Sequence, residues 1–158
     1  MTQDNTSYAE AAMLIRKPIS AVFQAFINPE ITTKFWFTKA SGTLEEGQSI
    51  DWIWEMYGNH TVTVKVLSIK TNESIVIQWG EDEKAIAEWE FNDLGKNKTF
   101  VTITYNGIQG RTDEMCAQIR DTTEGFTLVL AGLKAYLEHN IQLNLVADRF
   151  PKELTTGE

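Results

Sequence analysis

Few side chains in this sequence could do chemistry, and they are scattered. There are two histidines, His60 and His139, and one cysteine, Cys116. They lie far apart in the chain and make no ligand spacing for zinc. Cys116 has Glu114 nearby and no clear cationic partner, so it reads as a small apolar residue rather than a nucleophile. No serine-nucleophile elbow, phosphate-binding loop or dinucleotide-binding glycine pattern occurs. Gly107-Ile108-Gln109-Gly110 lacks the basic or helical context of a functional glycine loop and reads as a turn. General acid–base work would need paired carboxylates, and Asp51, Glu55, Glu88 and Glu90 are the strand-borne candidates. Their alternation places them opposite the neighbouring tryptophans, on a solvated outer face. Arg16, Arg111, Arg120 and Arg149 could meet an acidic ligand group. Arg120 is the one expected nearest a cavity mouth, with a surface ion pair as its alternative. No catalytic residue, metal or cofactor is assigned.

The aromatic residues are more informative. In 158 residues there are five tryptophans, four tyrosines and eight phenylalanines. The formal net charge is −8 and no Lys/Arg run occurs, so the electrostatic footprint of a nucleic-acid binder is missing. An acidic surface also disfavours anionic membranes, and no segment has the length of a membrane span, so membrane insertion is not expected. With one cysteine no internal disulfide forms. The N-terminal Met-Thr-Gln-Asp-Asn-Thr-Ser-Tyr has neither a basic nor an apolar stretch, so no signal peptide is read and a cytoplasmic location is expected. Four Asn-x-Ser/Thr sequons, at Asn5, Asn59, Asn72 and Asn97, then read as by-products of an Asn/Thr-rich surface. Length and the absence of linkers or repeats imply one domain over 1–158, with an ordered core at about 7–150.

The elements that must position these residues follow from periodicity. Residues 7–16 alternate, with Ala11, Met13 and Ile15 on one face, and read as a strand. Pro18 suits a helix's first turn, and Val22, Phe23, Phe26 and Ile27 give that helix its apolar side. Asn28-Pro29-Glu30 combines a cap, a first-position proline and a first-turn acid, so a second short helix starts there. Period 2 then takes over. Residues 42–48 read as a short strand and turn. Ile50, Trp52, Trp54 and Met56 share a face, as do Val62, Val64 and Val66. A slip at Leu67 and Ile69 suggests a bulge. Ile75, Ile77 and Trp79 follow, then Ala87, Trp89 and Phe91, a loop over 93–98, and Val101, Ile103 and Tyr105. Residues 107–120 carry no clear pattern beyond a possible helical turn at Met115 and Ile119.

The closing segment is helical by spacing. Phe126, Val129, Leu130, Leu133, Leu137 and Ile141 recur at i, i+3, i+4 and i+7, with Thr127, Lys134, Glu138 and Gln142 on the other side. Asp121 with Glu124 forms a capping-box pattern, and His139-Asn140 marks the end. The pattern resumes through Leu145, Val146 and Phe150 until Pro151. Burying six large apolar side chains is worth roughly 10 kcal/mol as an upper bound, so this helix must dock on a large apolar surface.

The order is β-α-α-β-β-β-β-β-β-α. The predicted class is α+β: a curved antiparallel sheet of about seven strands wrapped on a long C-terminal helix, with two short helices after the first strand. Trp52, Trp54, Trp79, Trp89, Phe91 and Ile103 would then meet Phe126, Leu130 and Leu133. The tryptophans either fill the core or line a pocket for a flat or lipidic ligand. The candidate lining is Trp36, Trp52, Trp54, Val64, Ile77, Trp89, Phe91 and Ile103 with Phe126, Leu130 and Leu133.

Two segments carry a family resemblance. Lys-Pro-Ile-Ser-Ala-Val-Phe-Gln-Ala-Phe-Ile-Asn-Pro-Glu-Ile-Thr-Thr-Lys-Phe-Trp-Phe (17–37) is similar to the opening of the helix-grip, START-like or birch-pollen-allergen-like superfamily (SRPBCC). Gly-Phe-Thr-Leu-Val-Leu-Ala-Gly-Leu-Lys-Ala-Tyr-Leu-Glu-His (125–139) resembles its closing helix. Within it, residues 7–150 resemble the activator-of-Hsp-ninety-ATPase-like, polyketide-cyclase-like group. The matching residues are packing residues, so the resemblance implies fold more than activity. The eukaryotic co-chaperone of that group has an additional N-terminal domain that stimulates the ATPase. None is expected before the first strand here, so the resemblance does not imply co-chaperone activity. Three functions compete: non-enzymatic binding of an apolar or aromatic small molecule or lipid, a cyclase- or hydratase-type enzyme using the same cavity, and a module binding a chaperone or another protein partner.

Overall fold

The computed structural model describes residues 7–155, and the expectations placed on the extreme N-terminus, including the Asn5 sequon, lie outside the described residues. Strand β1 (Ala9–Ile15) leads into helices α1 (Ile19–Ile27) and α2 (Pro29–Thr32). Six strands follow: β2 (Lys39–Ala40), β3 (Ser49–Trp54), β4 (His60–Lys70), β5 (Ser74–Trp79), β6 (Ile86–Gly95) and β7 (Lys98–Asn106). Helix α3 (Thr112–His139) and the short α4 (Leu145–Arg149) and α5 (Lys152–Thr155) complete the chain. The seven strands form one antiparallel sheet in the order β1-β7-β6-β5-β4-β3-β2.

Local chemistry sets the boundaries. Pro18 is the residue before α1 rather than part of it. Asn28 caps α2 by accepting the Glu30 N–H at 3.0 Å, with Pro29 at the first position. The slip at Leu67 is a register shift between Val66 and Ser68. Asn59, Asn72 and Asn97 all have left-handed backbones, with φ of 59°, 60° and 56°. Asn tolerates that region, so these sequons sit where turns need asparagine.

Several sequence expectations are corrected. The loop at 93–98 shrinks to the two residues Lys96-Asn97, both left-handed, which is the hairpin turn that matches strand twist. The strand expected within 42–48 lies instead at Lys39–Ala40, paired with Ile53 and Trp52. Met56 leaves its predicted face because Glu55–Tyr57 form a single 3₁₀ turn.

The largest correction concerns α3, which begins nine residues before Asp121. Its start is held by Glu114, whose carboxylate accepts the Arg111 N–H at 2.9 Å. Asp121 and Glu124 are therefore mid-helix, and Cys116 is exposed rather than packed. At the other end Asn140 adopts a left-handed cap with φ 55°, and Ile141 lies beyond the helix, 49% exposed.

The core lies between the concave sheet face and the helices. Val64, Val66, Ile75, Ile77, Ala87, Val101 and Ile103 are fully buried beneath Phe126, Val129, Leu130 and Leu133 of α3. Lys134 and Glu138, read from sequence as solvent-facing, instead clamp α3 to β1. Lys134 Nζ donates to the Leu14 carbonyl and to Glu138 Oε2, each at 2.8 Å, and Glu138 Oε2 also accepts the Arg16 N–H at 2.8 Å. Gly132 permits the closest approach on the helix: a Cβ there would sit 3.1 Å from Phe35 Cβ.

Candidate ligand cavity

The placement of α3 creates the cavity. Its backbone packs most extensively on β1, at one edge of the sheet, and its apolar side chains extend over the neighbouring strands. Where those side chains do not meet, a cavity of about 420 Å3 remains. Its sheet side consists of Trp54 of β3, Trp79 of β5 and Tyr105 of β7, with Trp36 from the loop after α2 and Tyr57 from the 3₁₀ turn. The helix side runs from Asp121 through Gly125 and Phe126 to Val129, and Val146, Arg149 and Phe150 of the α4 region close the third side.

Among the sequence-selected residues, Trp36, Trp54 and Phe126 stand on this wall. The others, Trp52, Val64, Ile77, Trp89, Phe91, Ile103, Leu130 and Leu133, are buried beneath it. For Trp52, Trp89 and Phe91 the physical reason is the segment from α1 through the loop after α2, which folds across the sheet in front of them. Trp36 covers Trp52 at a centroid distance of 4.9 Å and Trp89 at 6.0 Å. Phe26 covers Trp89 at 5.8 Å and Phe91 at 6.1 Å, and Phe37 stacks on Trp52 at 4.8 Å. Such ring pairs fill the space with favourable offset and edge geometries. Trp89 Nε1 is buried among them without a hydrogen-bond partner.

Sequence reasoning did not select Tyr57, Trp79, Tyr105, Asp121, Thr122, Glu124, Gly125, Leu128, Val129, Val146, Arg149 or Phe150 as lining. Two signals pointed towards part of this set: the alternation that puts Tyr105 with Ile103, and the apolar pattern resuming at Val146 and Phe150.

Polar contacts hold the α4 region in place. The Tyr57 hydroxyl donates to the Val146 carbonyl, and the Tyr57 ring meets Phe150 edge-on at 6.1 Å. Arg149 Nε lies 2.5 Å from Glu124 Oε1, and its guanidinium sits 4.5 Å from the centre of the Phe150 ring. The hydrogen bond and charge of Glu124 keep the Arg149 guanidinium firmly protonated. Arg120 is 74% exposed and pairs with Asp121 at 3.1 Å; Arg149 is the arginine on the wall. Burial raises the Tyr57 phenol pKa, with Arg149 opposing and Asp148 reinforcing. Burial, then Asp82, raises that of Tyr105. Both phenols stay neutral at physiological pH; the Tyr57 O–H is engaged by Val146, whereas that of Tyr105 can donate to a ligand oxygen. Asp51, by contrast, faces outward and accepts the Thr63 hydroxyl at 2.6 Å. Among the described residues, no group of three His, Cys, Asp or Glu side chains is placed to hold a metal ion.

A curved antiparallel sheet closed by one long C-terminal helix, with two short helices after the first strand, defines the helix-grip class of domain. The chain belongs to the family described as "Activator of Hsp90 ATPase homolog 1-like protein", which it matches over residues 16–138. Among solved structures it is similar to protein SSP2350 from Staphylococcus saprophyticus, at 26% identity over 86% of this chain and 95% of that one, with a TM-score of 0.74. The Aha1 dimer from Colwellia psychrerythraea is 18% identical over 84% of this chain and 96% of its own, with a TM-score of 0.69. CalU16 from Micromonospora echinospora is 13% identical over 94% of this chain and 86% of its own, with a TM-score of 0.66. The latter two likenesses concern the fold alone. No curated protein matches the chain in sequence.

Proposed function

We propose that this protein binds an apolar or aromatic small molecule, or a lipid, in the cavity between sheet and α3, without transforming it. The observation that carries the reading is the cavity itself. Its volume of about 420 Å3 falls in the range of about 300–1,000 Å3 usual for small-molecule sites. Seven of its lining residues are aromatic: Trp36, Trp54, Tyr57, Trp79, Tyr105, Phe126 and Phe150. The carboxylates on the wall support binding over catalysis, because Glu124 is paired with Arg149 and Asp121 with Arg120. No helix among the described residues is long and apolar enough to cross a membrane, and cytoplasmic residence belongs to the same proposal. Three wall tryptophans make the test direct. Titrating purified protein with fatty acids and with fused-ring aromatics should quench tryptophan emission saturably, and native mass spectrometry should show a one-to-one adduct. No quenching and no adduct with either class would reject the reading.

A second reading, association with a chaperone, rests on the family and on the apolar side chains exposed near the C-terminus. Ile141, Leu143, Phe150 and Leu154 are between 48% and 79% exposed. Co-sedimentation with purified Hsp90 that recovers no stoichiometric complex would remove it.

A further inference from the structure

Two glycines interrupt the middle of α3, and the structure accounts for only one of them. Glycine is the least favourable residue for a helix interior apart from proline, so each position needs a reason. Gly132 has one, because a Cβ there would lie 3.1 Å from Phe35 Cβ and 3.3 Å from the Phe35 carbonyl oxygen. Gly125 has neither a packing nor a conformational reason. Its backbone is ordinary right-handed helix, and a Cβ built on it meets nothing within 4 Å. Gly125 is itself exposed, and it lines the cavity beside Phe126. On the same cavity lining Trp36 and Trp79 lie nearly parallel, with 24° between their planes and their centres 6.2 Å apart.

We propose that Gly125 is a specificity-determining position: its missing side chain keeps a slot open between the α3 backbone and the Trp36–Trp79 wall, admitting a rigid planar ring system. A fused-ring ligand would stack on the indoles, its other face against bare helix backbone. A flexible chain needs no such slot and can pass along the remaining apolar wall. The inference rests on the cavity reading above and adds the shape of the ligand to it.

Pyrene serves as the planar probe, read by energy transfer from the tryptophans, and dodecanol as the flexible one, read by calorimetry. Wild type is expected to bind both. Gly125→Leu should weaken pyrene roughly tenfold or more while leaving dodecanol within about threefold, as a pocket contact of a few methylenes does. Gly125→Ala should give an intermediate loss for pyrene and a higher Tm than wild type, since a methyl in open space favours the helix. Pyrene binding unchanged in Gly125→Leu, or equal losses for both probes, would overturn the proposal. So would a lower Tm for Gly125→Ala, because the space would then not be open. Wild type that binds dodecanol but not pyrene leaves the cavity reading standing and refutes this inference; wild type that binds neither refutes both.

Discussion

Replacing Glu138 tests how α3 is fastened to the sheet. Its side chain is 9% exposed, and one oxygen accepts two hydrogen bonds at 2.8 Å, from the Arg16 N–H and from Lys134 Nζ. Glu138→Ala hands the exposed Arg16 N–H from its carboxylate acceptor to water, which costs about 1 kcal/mol. The Lys134 partner is 35% exposed, so losing that pair adds no more than about 1 kcal/mol. Together the loss is about 1–2 kcal/mol, or a Tm about 2–8 °C lower for a chain of this size. Glu138→Gln keeps an acceptor for Arg16 and loses only the charge, so about half the effect is expected.

The pH dependence separates charge from packing. Burial alone would raise the Glu138 pKa, but the hydrogen bonds from Arg16 and Lys134 and the charges of Lys134 and His139 outweigh it, and the net shift is downward. A carboxylate whose folded pKa is depressed stabilises the fold above its unfolded value, and that contribution disappears as pH falls through the folded pKa. The gap between wild type and Glu138→Gln should therefore be full at neutral pH, start to shrink as pH falls through the ordinary glutamate range, and vanish once pH is below the lowered folded pKa. Urea denaturation followed by far-UV circular dichroism at both ends measures it. Glu138→Ala within about 0.5 kcal/mol of wild type, or a Gln gap that does not change with pH, would refute the clamp.

Gly132→Ala should destabilise by about 1–2 kcal/mol, overpacking against Phe35 outweighing the helix-propensity gain, as thermal melting will show. A neutral or stabilising result would mean that the loop at Phe35 gives way. Arg149→Ala should leave the global Tm nearly unchanged, because its pair with Glu124 is half exposed. It should nevertheless speed amide hydrogen exchange in α4 several-fold, since Arg149 ties that segment to α3; unchanged exchange would show that Tyr57 alone holds it.

Alternation along the strands exposes the sheet to sequence reading because burial on one face imposes period 2. It cannot tell depth on that face. Trp52 and Trp54 share a side of β3, yet Trp52 is covered by Trp36 and Phe37 while Trp54 reaches the cavity. That difference depends on the α1–α2 segment crossing in front, which no local pattern encodes. Helical periodicity likewise reports burial rather than helix. It finds α3 from Phe126 to Leu137, where the helix sits on the core, and misses 112–120, where side chains are exposed or only half buried and leave no clear stripe. Lys134 and Glu138 look like solvent residues by spacing. Their task is fixed by the end of β1, which offers the Leu14 carbonyl and the Arg16 N–H to the helix. Gly125 has no role that spacing could reveal, because the open space beside it exists only in the folded chain.

The strand order has a consequence for the order of events during folding. Strands β2 to β7 pair each with the next, so most of the sheet can assemble from contacts close in sequence. Strand β1 joins at the other edge, pairing Ala9 with Tyr105, and α3 then seats against β1. These long loops must close before their contacts give any return, which makes them the slow steps. Until then Trp89, Val101 and Ile103 lack α3 as their cover, on an unfinished sheet with a free edge at β7. A chain leaving the ribosome passes through this state before α3 is complete. The period in which this protein is most exposed to aggregation, or to capture by a holding chaperone, is thus set by the arrival of its last long helix.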